Sequence, residues 1–206
     1  MFDAPLRQFA AAVRVLAVLT VLLGLAYPLA VTAVAQVVSP GTANGSRLTA
    51  DGRTVGSRLV GQPFRGPQWF APRPSAAGEG GYDTLASAAS NLGPNSPALV
   101  AAVRQRRAAY ASAYRVALAQ VPADAVTASA SGLDPHISPL NARLQAASVA
   151  RARGLDPRRV RRLVDELVQG RTLGVLGEPR VNVVELNARL AQLRRGAFIP
   201  VHPGSE

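Results

Sequence analysis

No cysteine and no lysine occur among the 206 residues; methionine and tryptophan occur once each, and histidine twice, at His136 and His202. Each absence removes a class of chemistry. Without lysine there is no phosphate-cradling loop ending in Gly-Lys-Ser/Thr, no Schiff-base enzyme and no Ser-x-x-Lys acylation site. Without cysteine there are no disulfides, thiolate nucleophiles or iron–sulfur clusters, and zinc loses its commonest ligand. The absence of cysteine does not by itself fix a compartment.

All 23 basic side chains are therefore arginines, and set against 12 acids they give a formal charge of +11 and a pI near 11.6. Such a balance points to nucleic acid or to an anionic membrane surface. The length suits one domain of ordinary size with a proper core. Which partner the charge addresses depends on the side of a membrane on which it lies.

The 32 residues between Arg14 and Arg47 carry no charge. Their apolar part, Val15 to Val38, would reach about 36 Å as a helix, enough to cross a hydrocarbon core of about 30 Å. Pro28 in its middle is tolerable in a membrane helix. Arg7 and Arg14 against Asp3 put the N-terminus in the cytoplasm by the positive-inside rule, although Arg47, Arg53 and Arg58 on the far side weaken the bias. A cleaved signal peptide competes, because Ala33-Val34-Ala35 has the form of a cleavage site; the apolar run exceeds the usual h-region and favours a retained anchor. Either way, everything after about residue 39 is exported. The expected organisation is a cytoplasmic N-terminus (1–14), a transmembrane helix (15–38), an extracytoplasmic α+β domain (39–196) and a flexible tail (197–206).

Within the exported part, residues 39–66 read as turns and short strands, with Val55 to Gly61 the best strand. Trp69-Phe70, the one adjacent aromatic pair, reads as a packed plug or as an exposed partner contact. Ser96 and Pro97 open an amphipathic helix to about Gln120, with Leu99, Val103, Tyr110, Tyr114 and Leu118 on one face. A strand is expected over Ala125 to Ala130. Ser138 with Pro139 opens a second helix to Arg153, closed by Gly154, and Asp156 with Pro157 a third, ending near Gly170. Asn182 caps a last helix to about Gly196, with Glu185 placed as in a capping box.

Two constellations suggest chemistry. Gln145 to Leu167 imitates a DNA-binding helix-turn-helix, with Ala150, Gly154 and Val160 at the small, turn and packing positions and six arginines between Arg151 and Arg162. An exported domain meets no chromosome, so a helical hairpin with a basic surface is the better reading. Ser129, Ser131, Asp134 and His136 crowd together like a hydrolase triad, yet triad members converge from separate segments and no G-x-S-x-G elbow is present. His136 and His202 do not form a metal pair by spacing, and Asp124, Asp134 and Glu178 are scattered, so no metal is expected in this chain.

Special turn residues concentrate in islands: S-R-L-V-G-Q-P-F (57–64), W-F-A-P-R-P-S-A (69–76), S-N-L-G-P-N-S-P (90–97), T-A-S-A-S-G-L-D-P-H-I-S (127–138) and G-E-P-R-V-N-V-V-E-L-N (177–187). In this order, after an N-terminal anchor, the strings resemble the C subunit family of the bacterial Kdp potassium-transporting ATPase, over nearly the whole chain. Two departures are Ser87-Ala88-Ala89-Ser90, where the family has Ser-Gly-Gly-Ser, and Ala130, where it has glycine; alanine constrains only very tight turns there.

The resemblance implies a non-hydrolysing subunit of a plasma-membrane pump. Its partners would be a potassium-binding channel-like subunit, an ATP-hydrolysing P-type subunit, a small membrane subunit and membrane lipid, but no nucleic acid. It also implies a catalytic-chaperone role that raises the ATP affinity of the pump subunit, with Gln62 at the nucleotide; ATP would otherwise enter only through the pump subunit. The anchor places Gln62 outside, away from cytoplasmic ATP, and favours assembly and gating of the outer potassium entrance. The motif residues singled out for partner contact or structure are Trp69, Phe70, Arg73, Ser75, Asn91, Gly93, Ser131, Gly132, Asp134, His136, Asn182 and Asn187. The +10 charge of residues 47–206 would repel potassium, so the helices carrying Arg151 to Arg162 are expected to turn away from the ion entrance. Two alternatives stay open: an exported polyanion-binding module, and a serine hydrolase acting through Ser129 or Ser131.

Overall fold

Alanine and leucine, with no charge to solvate between Arg14 and Arg47, favour a helix through the N-terminal segment. A computed structural model describes residues 3–50 and 52–193 and divides the chain into two units, one ending at Ser46 and one beginning at Arg47. In the first, α1 (Asp3–Val21) runs through a π-helical stretch (Leu22–Ala26) into α2 (Tyr27–Val38). The run Ala4–Val38, 35 residues, is long and apolar enough to cross a membrane. It begins earlier than Val15, so Arg7 and Arg14 lie on the helix rather than on a separate flank. Pro28 explains the π stretch: it has no N–H for the Gly24 carbonyl, and the backbone ahead of it widens so that the Tyr27 N–H bonds Leu22 O. A four-residue helix, α3 (Pro40–Ala43), follows.

The second unit opens with a hairpin, β1 (Arg47–Ala50) and β2 (Arg53–Ser57). Ala50 pairs with Arg53, and Gly52 at φ +74° supplies the left-handed turn. The expected strand over Val55 to Gly61 is therefore half right: pairing ends at Ser57. Residues 58–96 then carry neither helix nor strand. α4 (Pro97–Tyr114) stops six residues short of Gln120, because Arg115 turns left-handed at φ +57°; Leu118 starts a 3-10 turn (Leu118–Gln120) and is exposed. The strand expected over 125–130 is absent. A 3-10 turn (Ala123–Ala125) and irregular chain stand there, and the nearest strand is β3 (His136–Ile137).

The remaining helix signals act as expected. Ser138 accepts the Asn141 N–H at the head of α5 (Pro139–Arg153), which Gly154 closes at φ +65°. Asp156 accepts the Arg158 N–H to open α6 (Pro157–Glu166). That helix ends before Gly170 because Val168–Gln169 form β4, which with β5 (Arg180–Asn182) and β3 makes an antiparallel sheet in the order β3-β5-β4. α7 (Val183–Leu193) follows directly; the expected end at Gly196 and the tail, His202 included, lie outside the described residues.

The core shows why the hairpin of α5 and α6 forms. Ala142, Ala146 and Ala150 recur every fourth residue on α5, all fully buried, and small side chains there let Val160 and Val164 of α6 approach closely. Val149, Val181, Val183, Leu186 and Leu190 complete the cluster with Phe70, each large member contributing about 1.5–3 kcal/mol of burial. The architecture is α+β. Ala150, Gly154 and Val160, the positions that imitate a helix-turn-helix, are accounted for by packing and by a turn.

Candidate functional site

A 39-residue stretch without regular structure poses a physical problem, since its buried backbone groups need partners. Side-chain amides from the helices supply them. Asn187 on α7 accepts the Phe70 N–H and donates to Phe70 O, both at 2.9 Å. Gln145 on α5 does the same for Ala71, accepting its N–H at 2.7 Å and donating to its carbonyl at 3.2 Å. Two consecutive backbone units are thus clamped like rungs of a sheet, and the aromatic ring of Phe70, fully buried, is driven between the helices. Asn141 and Tyr110 extend the network: Gln145 donates to Asn141 Oδ1, as does the Tyr110 hydroxyl, both at 2.8 Å. Burial holds the Tyr110 phenol neutral well above its ordinary range, and the neighbouring Tyr114 and Asp124 add to the shift.

A second knot joins the W-F-A-P-R-P-S-A and S-G-L-D-P-H-I-S islands. Ser75 is its hub, donating to Gly132 O at 2.6 Å and accepting the N–H groups of Ala77 and Tyr82 at 3.1 and 2.8 Å. Gly132 is required there: at φ +67° a Cβ would lie 2.7–2.8 Å from Ala77 and from Ala88 O. Arg73 Nη1 bonds Asp134 at 3.0 Å, its Nη2 faces Thr127 O and Ala128 O at 3.4 Å, and its carbonyl receives the Tyr82 hydroxyl at 2.7 Å. The other oxygen of Asp134 takes the His136 N–H at 3.0 Å and faces Nδ1 at 3.1 Å. Burial pushes the Asp134 carboxyl up, but the bonds from His136 and the charges of His136 and Arg73 outweigh it, holding the group below the usual carboxylate range. Further along, Asp124 accepts from Ser138 N, Ser138 Oγ and Asn141 Nδ2 at 2.7–3.0 Å, fixing the start of α5.

The G-E-P-R-V-N island ties back to the first. Asn182 caps α7 by accepting the Glu185 N–H at 3.0 Å and donates to Arg58 O at 2.7 Å. The Glu185 carboxylate does not close a capping box; it lies 3.9 and 4.0 Å from Arg58 and Arg189. Beside this seam a half-open groove of about 670 Å³ is lined by Leu48, Val55, Phe64, Trp69, Val184 and Ala188, with Gln62 and Arg153 among its polar members. Gln62 reaches across Gly56 to donate to Val55 O at 3.2 Å. Trp69 is half-buried, tilted against Phe64 with ring centroids 5.8 Å apart, and Arg153 sits 4.2 Å over its ring.

The aromatic pair therefore divides: Phe70 is a core plug and Trp69 a groove wall. Arg73, Ser75, Ser131, Gly132, Asp134 and His136 meet in one knot, where Ser131 accepts the Leu133 N–H and its carbonyl receives Ser87 Oγ. Asn182 and Asn187 form their own latches. Asn91 and Gly93 do not join them. Asn91 is exposed with φ +50°, and the Gly93 carbonyl accepts the Ser96 N–H that leads into α4. Among the described residues no hydrogen bond links Ser129 or Ser131 to His136, and no group of three His, Asp or Glu stands ready for a metal. Sequence reasoning missed Gln145, Asn141 and Tyr82, and weighed Asp124 only as a scattered acid with a turn or cap role, which it fills at the start of α5. The first two gave a signal in hindsight, being amides among alanines on the buried face of α5.

Comparison with known proteins gives a consistent result. The family described as KdpC: K+-transporting ATPase, c chain, matches residues 9–192. A potassium-transporting ATPase KdpC subunit from Kineococcus radiotolerans is 58% identical over 185 residues, covering 90% of this chain and 93% of that protein. The subunit of the same name from Sorangium cellulosum is 54% identical over 179 residues (87% and 94% covered), and that from Myxococcus xanthus 53% identical over 201 residues (95% and 92% covered).

Proposed function

The chain belongs to the KdpC family, and we propose that it is the accessory, non-hydrolysing subunit of an ATP-driven potassium pump, acting by assembly. Its single membrane helix would hold it in the plasma membrane with the N-terminus cytoplasmic and the domain outside. There it would bind the potassium-binding and ATP-hydrolysing subunits, with the small membrane subunit alongside, and shape the outer potassium entrance. The observation that carries this reading is the fate of the motif side chains. The side chains of Arg73, Ser75, Asn182 and Asn187 are each committed to backbone groups between 54 and 124 residues away, Arg73 to a carboxylate as well, and so build a pre-organised surface rather than present reactive groups. Pre-organisation reduces the ordering cost of binding and suits an assembly subunit.

A second reading has its own support. The groove lined by Gln62 offers an aromatic wall, three glutamines (Gln62, Gln68 and Gln192) and an arginine, chemistry that could take a purine ring, as a catalytic chaperone raising the ATP affinity of the pump would need. One experiment separates the two. Potassium-stimulated ATP hydrolysis is measured on the purified complex with this chain, without it, and with Gln62→Ala. Assembly alone predicts that removal abolishes activity while Gln62→Ala leaves the KM for ATP unchanged. A KM raised tenfold in an intact Gln62→Ala complex establishes the chaperone reading. Unchanged activity without the chain overturns both.

A further inference from the structure

The arginines of α6 are arranged against the interest of the helix itself. Val160, Leu163 and Val164 face the core, which leaves Arg158, Arg159, Arg161 and Arg162 exposed on the opposite side. Arg158 has like-charged neighbours three and four positions on, Arg161 and Arg162, and Arg159 has Arg162 at three; each such spacing is repulsive on a helix surface. Arg158 and Arg159 also occupy the first turn, where the helix dipole disfavours cations. Arg151, at the end of α5, is exposed as well. Among the described residues none of these five forms an ion pair. The nearby acids do not compensate: Asp156 caps the helix, Asp165 is taken by Arg143 at 2.8 Å, and only Glu166 in the last turn is left. Neither the fold nor the assembly role described above uses this ridge.

We infer that the α6 ridge is a docking surface for the headgroups of anionic phospholipid in the membrane that anchors the chain. Two observations select this occupant. The charge is of one sign and needs an external counter-charge. And eight residues, 39–46, separate the apolar helix from the domain; even fully extended they span roughly 30 Å, so the domain is tethered close to a lipid surface that a diffusing acidic protein would have to outcompete. Guanidinium groups bind phosphate oxygens in pairs of parallel hydrogen bonds, which suits arginine rather than a point charge to this surface. Arg153 is not part of the ridge, being engaged over Trp69 and with Gln68 O.

The test uses the full chain held in nanodiscs of phosphatidylcholine, with vesicles of phosphatidylcholine alone or with added phosphatidylglycerol offered in trans, and co-flotation as the readout. The wild type is expected to float with the phosphatidylglycerol vesicles and not with phosphatidylcholine, and to be released as salt rises. Changing the four α6 arginines to glutamine should lower vesicle affinity on the order of 1,000-fold. A control with the same charge loss elsewhere, Arg47→Gln, Arg53→Gln, Arg104→Gln and Arg115→Gln, should keep binding within a few-fold; matching thermal unfolding curves show that both variants fold. Equal loss in the control, retained binding in the α6 variant, or no preference for the anionic vesicles overturns the inference. So does capture of the ridge by the purified pump subunits in place of vesicles.

Discussion

Replacing Asn187 with alanine is the sharpest perturbation of the latch that holds the irregular segment. Asn187 is 1% exposed and makes two bonds of 2.9 Å to the backbone of Phe70, itself fully buried. Removing the amide leaves one N–H and one carbonyl in the core without partners, at about 1–3 kcal/mol each. The expected loss is therefore about 4 kcal/mol. For a domain of this size 1 kcal/mol moves Tm by roughly 2–4 °C, so the midpoint should fall by roughly 8–16 °C. Asn187→Leu, which refills most of the volume but restores neither bond, separates bonding from packing and should destabilise by a similar amount. Thermal and urea unfolding of the full chain in detergent provide the readout. If Asn187→Leu lies within about 1 kcal/mol of wild type, packing rather than backbone satisfaction holds Phe70 and the reasoning fails.

Two further outcomes follow from the second knot. Gly132→Ala should lower stability by about 2 kcal/mol or more in urea unfolding, because its left-handed backbone and contacts of 2.7–2.8 Å leave no room for a methyl; an effect below about 0.5 kcal/mol would contradict that geometry. The Asp134 carboxyl is held below its ordinary value in the folded state, so its contribution is present above the unfolded value near pH 3.9 and is lost as pH falls through the lower folded value. Asp134→Asn should accordingly flatten the acid limb of the stability-versus-pH curve and leave its alkaline limb unchanged; an unaltered acid limb counts against the hydrogen bonds from His136 and the charge of Arg73 holding the carboxyl down.

Helix starts were legible because they are local. Ser138-Pro139, Asp156-Pro157 and Asn182 each carry cap and helix within four residues, and each cap hydrogen bond is formed. The hairpin had an equally local signal, Asp51-Gly52, that periodicity alone passes over. Where elements depend on distant partners, the sequence was silent. β3 is two residues long and exists because β5, some 45 residues later, pairs with it. Leu118 continued the apolar rhythm of α4, yet Arg115 had already ended the helix. Of the site, the motif residues in the second knot could be named in advance, but their roles could not. Ser75 and Gly132 meet across 57 residues, and Asn187 and Phe70 across 117, through hydrogen bonds that leave no pattern along the chain.

High-affinity potassium uptake tests the central claim most directly. Cells that lack their own uptake system are supplied with the pump subunits, with or without this chain, and growth and potassium flux are followed at micromolar external potassium. An accessory subunit acting by assembly predicts uptake only when the full-length, membrane-anchored chain is present, with no hydrolysis of ATP by the purified chain on its own. Uptake that proceeds equally without it would contradict the account.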